Sequence, residues 1–352
     1  MKAAVYRKAG TVEVEEVPVP PLEAGEMLVR VEACGVCGTD IKKIRQGLLP
    51  GPRIFGHEIA GTVARTAAAV TRFREGDRVV LHHHVPCGDC FFCRDGAWAQ
   101  CERYKRNGTT AGFEPAGGGF AEYVKALDWI VERGAIRVPD GVAAEEAAFV
   151  EPVNTCLKAV GKAAVGKGQS VLVVGQGPIG LILMQLCRWA GADTFACDRL
   201  ADRLEMARRL GAAAVIDAGS DVAREVRALT SGRGADCTLL AAVGPEAFQQ
   251  AVDATRPGGR ILAFASTAPG ERVELDLGAL CAAEKQILTS YSASVEVQDV
   301  AAQLVFQREV RVRELISHQL PIEEAARAVE LASRPAPGVL KVVLRPRAGT
   351  LA

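Results

Sequence analysis

The pattern of hydrophobic and polar positions changes near residue 155 and divides the chain into two kinds of predicted structure. Before this point the apolar residues come in short, partly alternating runs that glycine and proline interrupt. These runs cover 27–33, 60–64, 78–82 and 120–124. Several short strands separated by turns predict an irregular, β-barrel-like domain.

From residue 170 onward, apolar runs of strand length alternate with helices of apolar period. Strands are predicted at 170–175, 194–198, 214–217, 237–242 and 260–265, and helices at 181–190 and 199–210. Strands that alternate with helices indicate βαβ units. This half therefore predicts an α/β fold with a doubly wound parallel sheet of the Rossmann type.

The alternation ends at about residue 290. A helix rich in Glu and Ala, at 322–333, leads to a last strand at 338–344. We interpret this tail as a return to the first domain, which makes the α/β domain an insertion. The expected division is 1–154, 155–288 and a returning segment 289–352, which suits a chain of 352 residues.

The first strand of the α/β half ends in Gly175-Gln-Gly177-Pro178-Ile179-Gly180. In such a loop Gly175 permits a tight turn and Gly177 lets the backbone approach a pyrophosphate, while Gly180 lets the helix pack closely on the strand. The pyrophosphate is then bound at the helix N-terminus, where free N–H groups attract anions. The loop therefore predicts a dinucleotide site.

An acidic residue at the end of the next strand bears on the choice of dinucleotide. Asp198, about 20 residues after the loop, would accept hydrogen bonds from the ribose hydroxyls and repel a 2′-phosphate. NAD is therefore expected rather than NADP. Arg199 and Arg203 lie nearby and act against this preference.

Four cysteines, Cys87, Cys90, Cys93 and Cys101, follow a C-x2-C-x2-C-x7-C pattern. Four thiolates from one short loop fit a single closed, tetrahedral Zn2+ site, so we predict a structural zinc ion here. The chain has eleven cysteines. A thiolate set of this kind, in a chain that begins without an apolar signal peptide, predicts a reducing, cytoplasmic environment.

A second metal site is predicted from three separated segments, around Cys37, around His57 and Glu58, and around Glu151. A catalytic zinc ion usually keeps about three protein ligands and leaves one position for water or substrate. Cys37 and His57 are the predicted ligands, and Glu58 and Glu151 compete for the remaining protein position. Asp40 is a candidate to orient the His57 ring.

Two other motifs could be taken for metal or redox sites. His82, His83 and His84 are adjacent, and neighbours on a strand point to opposite faces, so they cannot all bind one ion. His84 is expected to line the substrate cleft. Cys34 and Cys37 form a C-x-x-C pair, but no thioredoxin-like helix start is expected around it.

Composition disfavours some classes of function. The chain has 42 Lys and Arg and 42 Asp and Glu, so nothing favours a nucleic-acid partner or a zinc-ribbon nucleic-acid-binding protein. No apolar run approaches the ~20 residues of a membrane helix. A non-catalytic NAD sensor should lack the pair of Cys37 and His57, which is present here.

Together these motifs resemble the zinc-dependent medium-chain alcohol and polyol dehydrogenases, and the resemblance covers essentially the whole chain. The motifs occur in the order of the family: Cys37-Gly-Thr39-Asp40, Gly56-His57-Glu58, the four-cysteine loop, Gly-Gly-Phe-Ala-Glu-Tyr at 118–123, Glu151-Pro152 and the glycine loop. Glu151 stands where ethanol-oxidising members have a cysteine. In this respect the chain is similar to the sorbitol, threonine and glucose dehydrogenase branch.

The resemblance implies a GroES-like first domain and a zinc- and NAD-dependent oxidation of an alcohol. Zn2+ would lower the pKa of the substrate hydroxyl, and Thr39 would accept its proton. The resemblance also implies two zinc ions per chain, a small alcohol or ketone as substrate, and a homo-oligomer, either a tetramer or a dimer. Cofactor contacts are implied at Ile179, Arg203, Phe264, Ala265, Ser266, Ser290 and Tyr291.

The expected substrate is a secondary alcohol, namely a polyol, a sugar or a cyclitol; the alternative is L-threonine or another amino alcohol. Many relatives carry a histidine three residues after the Thr of the first motif, where this chain has Lys42. Lysine side chains titrate far above neutrality, so they shuttle protons less well than imidazole. Lys42 could instead pair with a cofactor phosphate or ribose oxygen. A carboxylate substrate would need a cation, which Lys42 or Arg94 could provide.

Overall fold

The computed structural model describes residues 1–82, 84–103, 109–113, 118–242, 244–265, 267 and 270–347. Strands dominate the first part of the chain. They are β1 (Lys2–Lys8), β2 (Thr11–Glu16), β3 (Met27–Gly35), β4 (Arg53–Ile54), β5 (Glu58–Thr66), β6 (Arg78–Leu81), β7 (Thr109–Thr110), β8 (Tyr123–Ala126) and β9 (Ala135–Arg137). The α-helices of this part are α1 (Gly38–Gln46), α2 (Phe91–Arg94), α3 (Asp128–Arg133), α4 (Ala144–Ala147) and α5 (Val150–Lys162).

The second part alternates strands and helices, as its apolar runs predict. Its elements are β10 (Ser170–Val174), α6 (Pro178–Trp189), β11 (Asp193–Asp198), α7 (Ala201–Arg209), β12 (Ala214–Asp217), α8 (Val222–Leu229), β13 (Ala235–Leu240), α9 (Pro245–Ala254), β14 (Thr255–Ala263), α10 (Leu277–Ala282) and β15 (Gln286–Thr289). The six strands form one parallel sheet in the order β12-β11-β10-β13-β14-β15. The order reverses between β10 and β13, and doubly wound sheets bind ligands at the carboxyl ends of the strands beside such a reversal.

The last part of the chain contains α11 (Gln298–Phe306), β16 (Ile316–Pro321), α12 (Ala325–Ala332) and β17 (Lys341–Arg345). Strand β17 pairs antiparallel with β3, so the tail lies in the first sheet, whose main order is β16-β17-β3-β5-β6-β9. A smaller sheet has the order β2-β1-β4. A parallel Rossmann sheet beside a curled, mainly antiparallel sheet confirms the predicted fold class.

Helix α5 was not predicted, although it carries Glu151. Its Pro152 lies in the first helical turn, where proline breaks no helical hydrogen bond. The buried face of α5 includes Val153, Cys156 and Val160, which belong to a core shared with α6 and β10. Val150, Val153, Leu157 and Val160 recur at helical spacing, so the sequence pattern of this segment does favour a helix. Within the described ranges, no helix combines the length and apolar content that a membrane crossing requires.

Candidate active site

The predicted ligands of a catalytic metal meet where α1 and β5 begin. Cys37 is the N-cap residue of α1, and His57 directly precedes Glu58, the first residue of β5. The pairing of β3 with β5 sets Gly35 opposite Glu58, which brings the chain on either side of these strands together. One ligand atom from each of Cys37, His57 and Glu58 lies within 4.8 Å of the others. A thiolate, an imidazole and a carboxylate at this spacing are a donor set that fits Zn2+.

Asp40 holds the ring of His57. Its Oδ1 lies 3.1 Å from His57 Nδ1, and its Oδ2 accepts a hydrogen bond from the backbone N–H of Cys37 at 3.3 Å. Burial disfavours the charged carboxylate, but the charge and the hydrogen bond of His57 outweigh it, so the pKa of Asp40 is lowered. With Nδ1 engaged, Nε2 is the ring atom left to bind a metal.

Glu58 is also paired with Lys341, the first residue of β17. The Lys341 ammonium donates to Glu58 Oε1 at 2.6 Å and also contacts Oε2. Both side chains are buried. Burial favours the neutral amine of Lys341, but the charge of Glu58 more than offsets it and the pKa of Lys341 is raised. Gly35 leaves room for this pair, because a Cβ there would lie 1.8 Å from Glu58 Oε2.

Lys341 is a site residue that was not predicted from the sequence. It lies 283 positions from Glu58, and only the register of β17 against β3 brings the two together. The available signal was a lysine in the middle of the apolar strand 338–344. A charged residue at a buried strand position needs a partner of opposite charge.

Glu151 lies beside the ligand group but not in it. Among the described residues, the group whose ligand atoms lie within 4.8 Å of one another contains Glu58 and not Glu151. Glu151 Oε1 is 3.8 Å from His84 Nδ1, which is also 3.3 Å from Ser292 Oγ. Burial raises the pKa of Glu151 to about 7 against the opposing charge of His57. Glu151 and His84 therefore form a polar wall next to the metal-binding groups.

The three adjacent histidines have different surroundings. His82 is buried, neither ring nitrogen has a hydrogen-bond partner among the described residues, and burial lowers its pKa to about 4. His83 lies outside the described residues. The ring of His84 lies 6.4 Å from that of His57, between ring centroids. The side chain of Thr39, the predicted proton acceptor, is exposed on the first turn of α1.

Helix α1 begins directly after Cys37, the second cysteine of the C-x-x-C pair, whereas Cys34 lies within β3. The Cys37 side chain caps the helix together with Asp40, which local sequence patterns did not reveal. Cys34 is nonetheless fully buried, and burial raises the pKa of its thiol well above the ordinary value. A buried thiol of this kind is a poor redox nucleophile.

The four cysteines of the predicted structural site come together in one lobe around α2. Ligand atoms of Cys87, Cys90, Cys93 and Cys101 all lie within 4.8 Å of one another. Measured Sγ–Sγ distances are 3.5 Å for Cys90–Cys93, 3.5 Å for Cys87–Cys101 and 3.8 Å for Cys87–Cys93. Tetrahedral zinc with Zn–S bonds of about 2.3 Å separates its sulfur atoms by about 3.8 Å. The donor set and its dimensions fit one closed zinc site.

The glycine loop lies between β10 and α6 at the carboxyl edge of the parallel sheet. Gly175 has φ +89°, a conformation that favours glycine. A Cβ on Gly180 would lie 1.7 Å from the Gly175 carbonyl oxygen, so only glycine permits this contact between helix and strand. Gly177 is the N-cap residue of α6, and Pro178 begins the helix. The first N–H groups of α6 are therefore available to an anion.

Asp198 ends β11 beside this loop. Its Oδ2 accepts from the backbone N–H of Gln176 at 2.5 Å, and its Oδ1 accepts from that of Leu200 at 2.9 Å. Arg203 Nη1 lies 3.9 Å from Asp198 Oδ2. The Nε of Arg203 is buried and has no hydrogen-bond partner within the described structure.

The remaining predicted cofactor residues lie along the same edge of the sheet. Ile179 is half-buried at the start of α6, Phe264 and Ala265 follow β14, and Ser290 and Tyr291 follow β15. Ser266 lies outside the described residues. Ser290 is buried and its Oγ lacks a partner among the residues described. Buried polar atoms without partners, beside a glycine cradle and a free helix N-terminus, fit a bound dinucleotide.

Comparison with known proteins agrees with this combination of sites. Residues 23–140 match the family model of the alcohol dehydrogenase GroES-like domain, and residues 178–307 match that of the zinc-binding dehydrogenases. Sorbitol dehydrogenase of Bacillus subtilis is 32% identical over 268 residues, which are 74% of each chain. L-Threonine 3-dehydrogenase of Bacillus velezensis is 30% identical over 365 residues, 98% of this chain and 99% of the relative.

A solved structure matches over nearly the whole length. It is that of a zinc-binding dehydrogenase candidate of Sinorhizobium meliloti bound to NADP, with a TM-score of 0.88, 30% identity, and coverage of 98% of this chain and 99% of that one. A Rossmann sheet, a curled second sheet and these two metal-binding groups define a nucleotide-dependent dehydrogenase. The chain belongs to the zinc-dependent medium-chain alcohol and polyol dehydrogenase family.

Proposed function

We propose that this dehydrogenase oxidises a secondary alcohol that carries further hydroxyl groups, namely a polyol, a sugar or a cyclitol, with NAD as the cofactor. The observation that carries this proposal is the polar wall of Glu151 and His84 beside Cys37, His57 and Glu58. Further substrate hydroxyls can hydrogen-bond to this wall. An alcohol with only hydrocarbon substituents would form no hydrogen bond to this wall, so the site favours a substrate with further hydroxyl groups.

We assign the residues of the site separate roles in the proposed reaction. Bound at these sites, Zn2+ supplies polarisation of the substrate hydroxyl and NAD supplies the hydride acceptor. We assign Cys37, His57 and Glu58 to the catalytic zinc, and Glu151 to a substrate hydroxyl. Thr39, exposed on the first turn of α1, accepts the proton of the reacting hydroxyl as it passes its own hydroxyl proton along a relay to solvent.

We assign NAD rather than NADP because carboxylates outnumber cations where β11 and β12 end, although Arg203 lies 3.9 Å from Asp198. The cavity at the ends of β11 and β12 is lined by three carboxylates, those of Asp217, Glu246 and Asp253. Its single cation, Arg199, is paired with Glu246 at 2.6 Å. A 2′-phosphate placed here would meet like charges, whereas ribose hydroxyls could donate to Asp198. The NADP found in the Sinorhizobium meliloti relative makes a direct comparison of the two cofactors necessary.

The four-cysteine lobe is assigned to a second, structural zinc ion, so the proposed content is two zinc ions per chain. None of the eleven cysteines forms a disulfide. Ten of them are buried or half-buried, and a chain with this many thiols suits a reducing compartment such as the cytosol.

We also propose that residues 1–154 and 289–352 form one domain and 155–288 the other. The pairing of β17 with β3 and the separate parallel sheet support this division. Limited proteolysis tests it, because exposed connections between the two units should be cut before the buried helix α5, in which residue 155 lies, if the units move independently.

A homo-oligomer is supported by the edge of the parallel sheet. Strand β15 is the last strand in the described sheet order, and its Ile287 is 40% exposed. Leu277 on the neighbouring α10 is 70% exposed. An exposed, partly apolar edge strand is a template for pairing with another chain. Ile287→Lys should lower the molecular mass in solution, measured by light scattering, if a second copy covers this edge.

The alternative substrate is L-threonine or another amino alcohol. The similarity to L-threonine 3-dehydrogenase over 98% of the chain favours it. Lys42 and Arg94 are the two cations considered as partners for the carboxylate of such a substrate. In the structure Lys42 already donates to the backbone carbonyl of Thr267. Arg94 is exposed on α2, within the four-cysteine lobe.

The test is a turnover assay with metal analysis. Purified protein is mixed with NAD or NADP and with a panel of polyols, sugars, cyclitols, threonine and simple secondary alcohols, and zinc is measured per chain. Turnover of a polyol-class substrate with NAD and about two zinc ions is expected. Turnover on threonine alone would overturn the substrate assignment, and preference for NADP would overturn the cofactor assignment.

A further inference from the structure

Lys42 makes a hydrogen bond between the two halves of the cofactor cleft. Its ammonium group donates to the backbone carbonyl of Thr267, 225 residues later in the chain. Lys42 lies on α1, three positions after Thr39, and the same helix is capped by Cys37. Thr267 lies four residues after the end of β14, at the carboxyl edge of the parallel sheet.

Lys42 and Thr267 lie on opposite sides of the proposed cofactor cleft. On one side lies α1, which carries the proposed metal ligand Cys37 and the proposed proton acceptor Thr39. On the other stands the chain that leaves β14 through Phe264 and Ala265, which are candidate cofactor contacts. Hydride transfer requires that the substrate carbon and the nicotinamide ring be held at contact distance. A bond that joins these two walls acts directly on that distance.

The chemistry of the contact suits a structural tie. The acceptor is a main-chain carbonyl, which has no proton to give or take at ordinary pH. Both Lys42 and Thr267 are half-buried. A hydrogen bond with a charged donor is stronger than one between neutral groups, and partial exclusion of water strengthens it further.

We propose that Lys42 is a positioning residue that ties the segment after β14 to α1 and thereby sets the width of the cofactor cleft. The proposal rests on the NAD chemistry proposed above. It replaces the three uses considered for this lysine from the sequence, namely proton transfer, direct pairing with the cofactor and pairing with a substrate carboxylate. In this role, Lys42 connects the two halves of the site through its hydrogen bond to Thr267.

The test compares Lys42→Met, which removes the donor, with Lys42→Arg, which keeps a charged donor. The dissociation constant of NADH is measured by its fluorescence, together with KM and kcat for the substrate that the panel identifies. Lys42→Met should weaken NADH binding by roughly tenfold or more, and Lys42→Arg should recover most of the affinity. Zinc content and melting temperature should stay at the wild-type values in both variants.

The matched control is Arg45→Met, which removes an exposed positive charge from the same helix. It should bind NADH as the wild type does. If Lys42→Met folds poorly, Lys42→Gln keeps a neutral donor and should show an intermediate affinity. Binding by Lys42→Met that equals the wild type, or an arginine variant as weak as the methionine variant, would overturn the positioning role.

Salt dependence separates the tie from direct pairing with a cofactor phosphate. The ratio of NADH dissociation constants between Lys42→Met and wild type should be the same at low and high salt if the partner is a carbonyl. A ratio that shrinks in high salt would show pairing with the charged phosphate and overturn the proposal. Wild-type protein that neither binds NADH nor reduces NAD would refute the proposed function itself, before any variant is compared.

Discussion

Lys341 and Glu58 form a buried ion pair, with Nζ 2.6 Å from Oε1, between the last strand of the chain and a proposed zinc ligand. Through this pair, the returning segment 289–352 contributes a charged side chain to the site. Without the lysine and in the absence of zinc, the Glu58 carboxylate would be buried beside the Cys37 sulfur and the Glu151 carboxylate with little compensating charge. The position of Glu58 therefore depends on the pairing of β17 with β3.

Removal of Lys341 should destabilise the protein through the charge that remains. In zinc-free protein, Lys341→Met is expected to lower the free energy of unfolding by about 3–5 kcal/mol, because loss of one partner leaves the other buried and unpaired. Urea denaturation measures this loss. The double variant Lys341→Met/Glu58→Gln should recover more than half of it. Additive losses in the double variant would show that the two side chains do not depend on each other.

Gly35→Ala should disturb the same pair without changing a charge. The added methyl would lie 1.8 Å from Glu58 Oε2 and 2.8 Å from Lys341 Cε, so the carboxylate must move. We expect a loss of roughly 1–3 kcal/mol in stability and weaker zinc retention against a chelator. Gly161→Ala on α5 is the matched control, since a Cβ there meets nothing within 4 Å. Equal behaviour of the two alanine variants would refute the steric explanation.

The parts of the site that sequence predicts well are those whose residues are close in the chain. Cys87, Cys90, Cys93 and Cys101 span 15 positions, so the loop alone brings their sulfur atoms together. The glycine loop is equally local, because each glycine is required by a turn or a close contact within one strand–loop–helix unit. In both cases the chemistry of the residues and their spacing limits the structure to few possibilities.

The parts that could not be predicted depend on pairing between distant elements. Lys341 reaches Glu58 only through the register of β17 on β3, and a shift by one residue would turn its side chain to the other face. Helix α5 has an apolar stripe at helical spacing, but the sequence does not show that it packs against α6 and the core shared with β10. The choice between Glu58 and Glu151 also needed the fold, because both follow from motifs of equal weight.

Asp40→Asn should weaken zinc binding at the catalytic site while leaving the four-cysteine lobe loaded. The carboxylate accepts from the His57 ring and holds its Nε2 toward the other ligands, and loss of such a partner typically costs about 10–100-fold in metal affinity. Competition with a chelator, followed by zinc analysis, should show one ion released early and one retained. Release of both ions together would contradict the separate roles of the two sites.

His82 should make the protein less stable in mild acid. Its pKa is about 4 in the folded protein and 6.5 ordinarily, so the unfolded chain binds a proton that the folded chain does not. The contribution is complete above pH 6.5 and is lost as the pH falls toward 4, to a total of about 3 kcal/mol. His82→Leu removes this titration, and zinc loss in acid affects both proteins alike. The unfolding free energy of the wild type should therefore fall more than that of His82→Leu as the pH is lowered. Parallel pH curves for the two proteins would show that His82 does not titrate in this range.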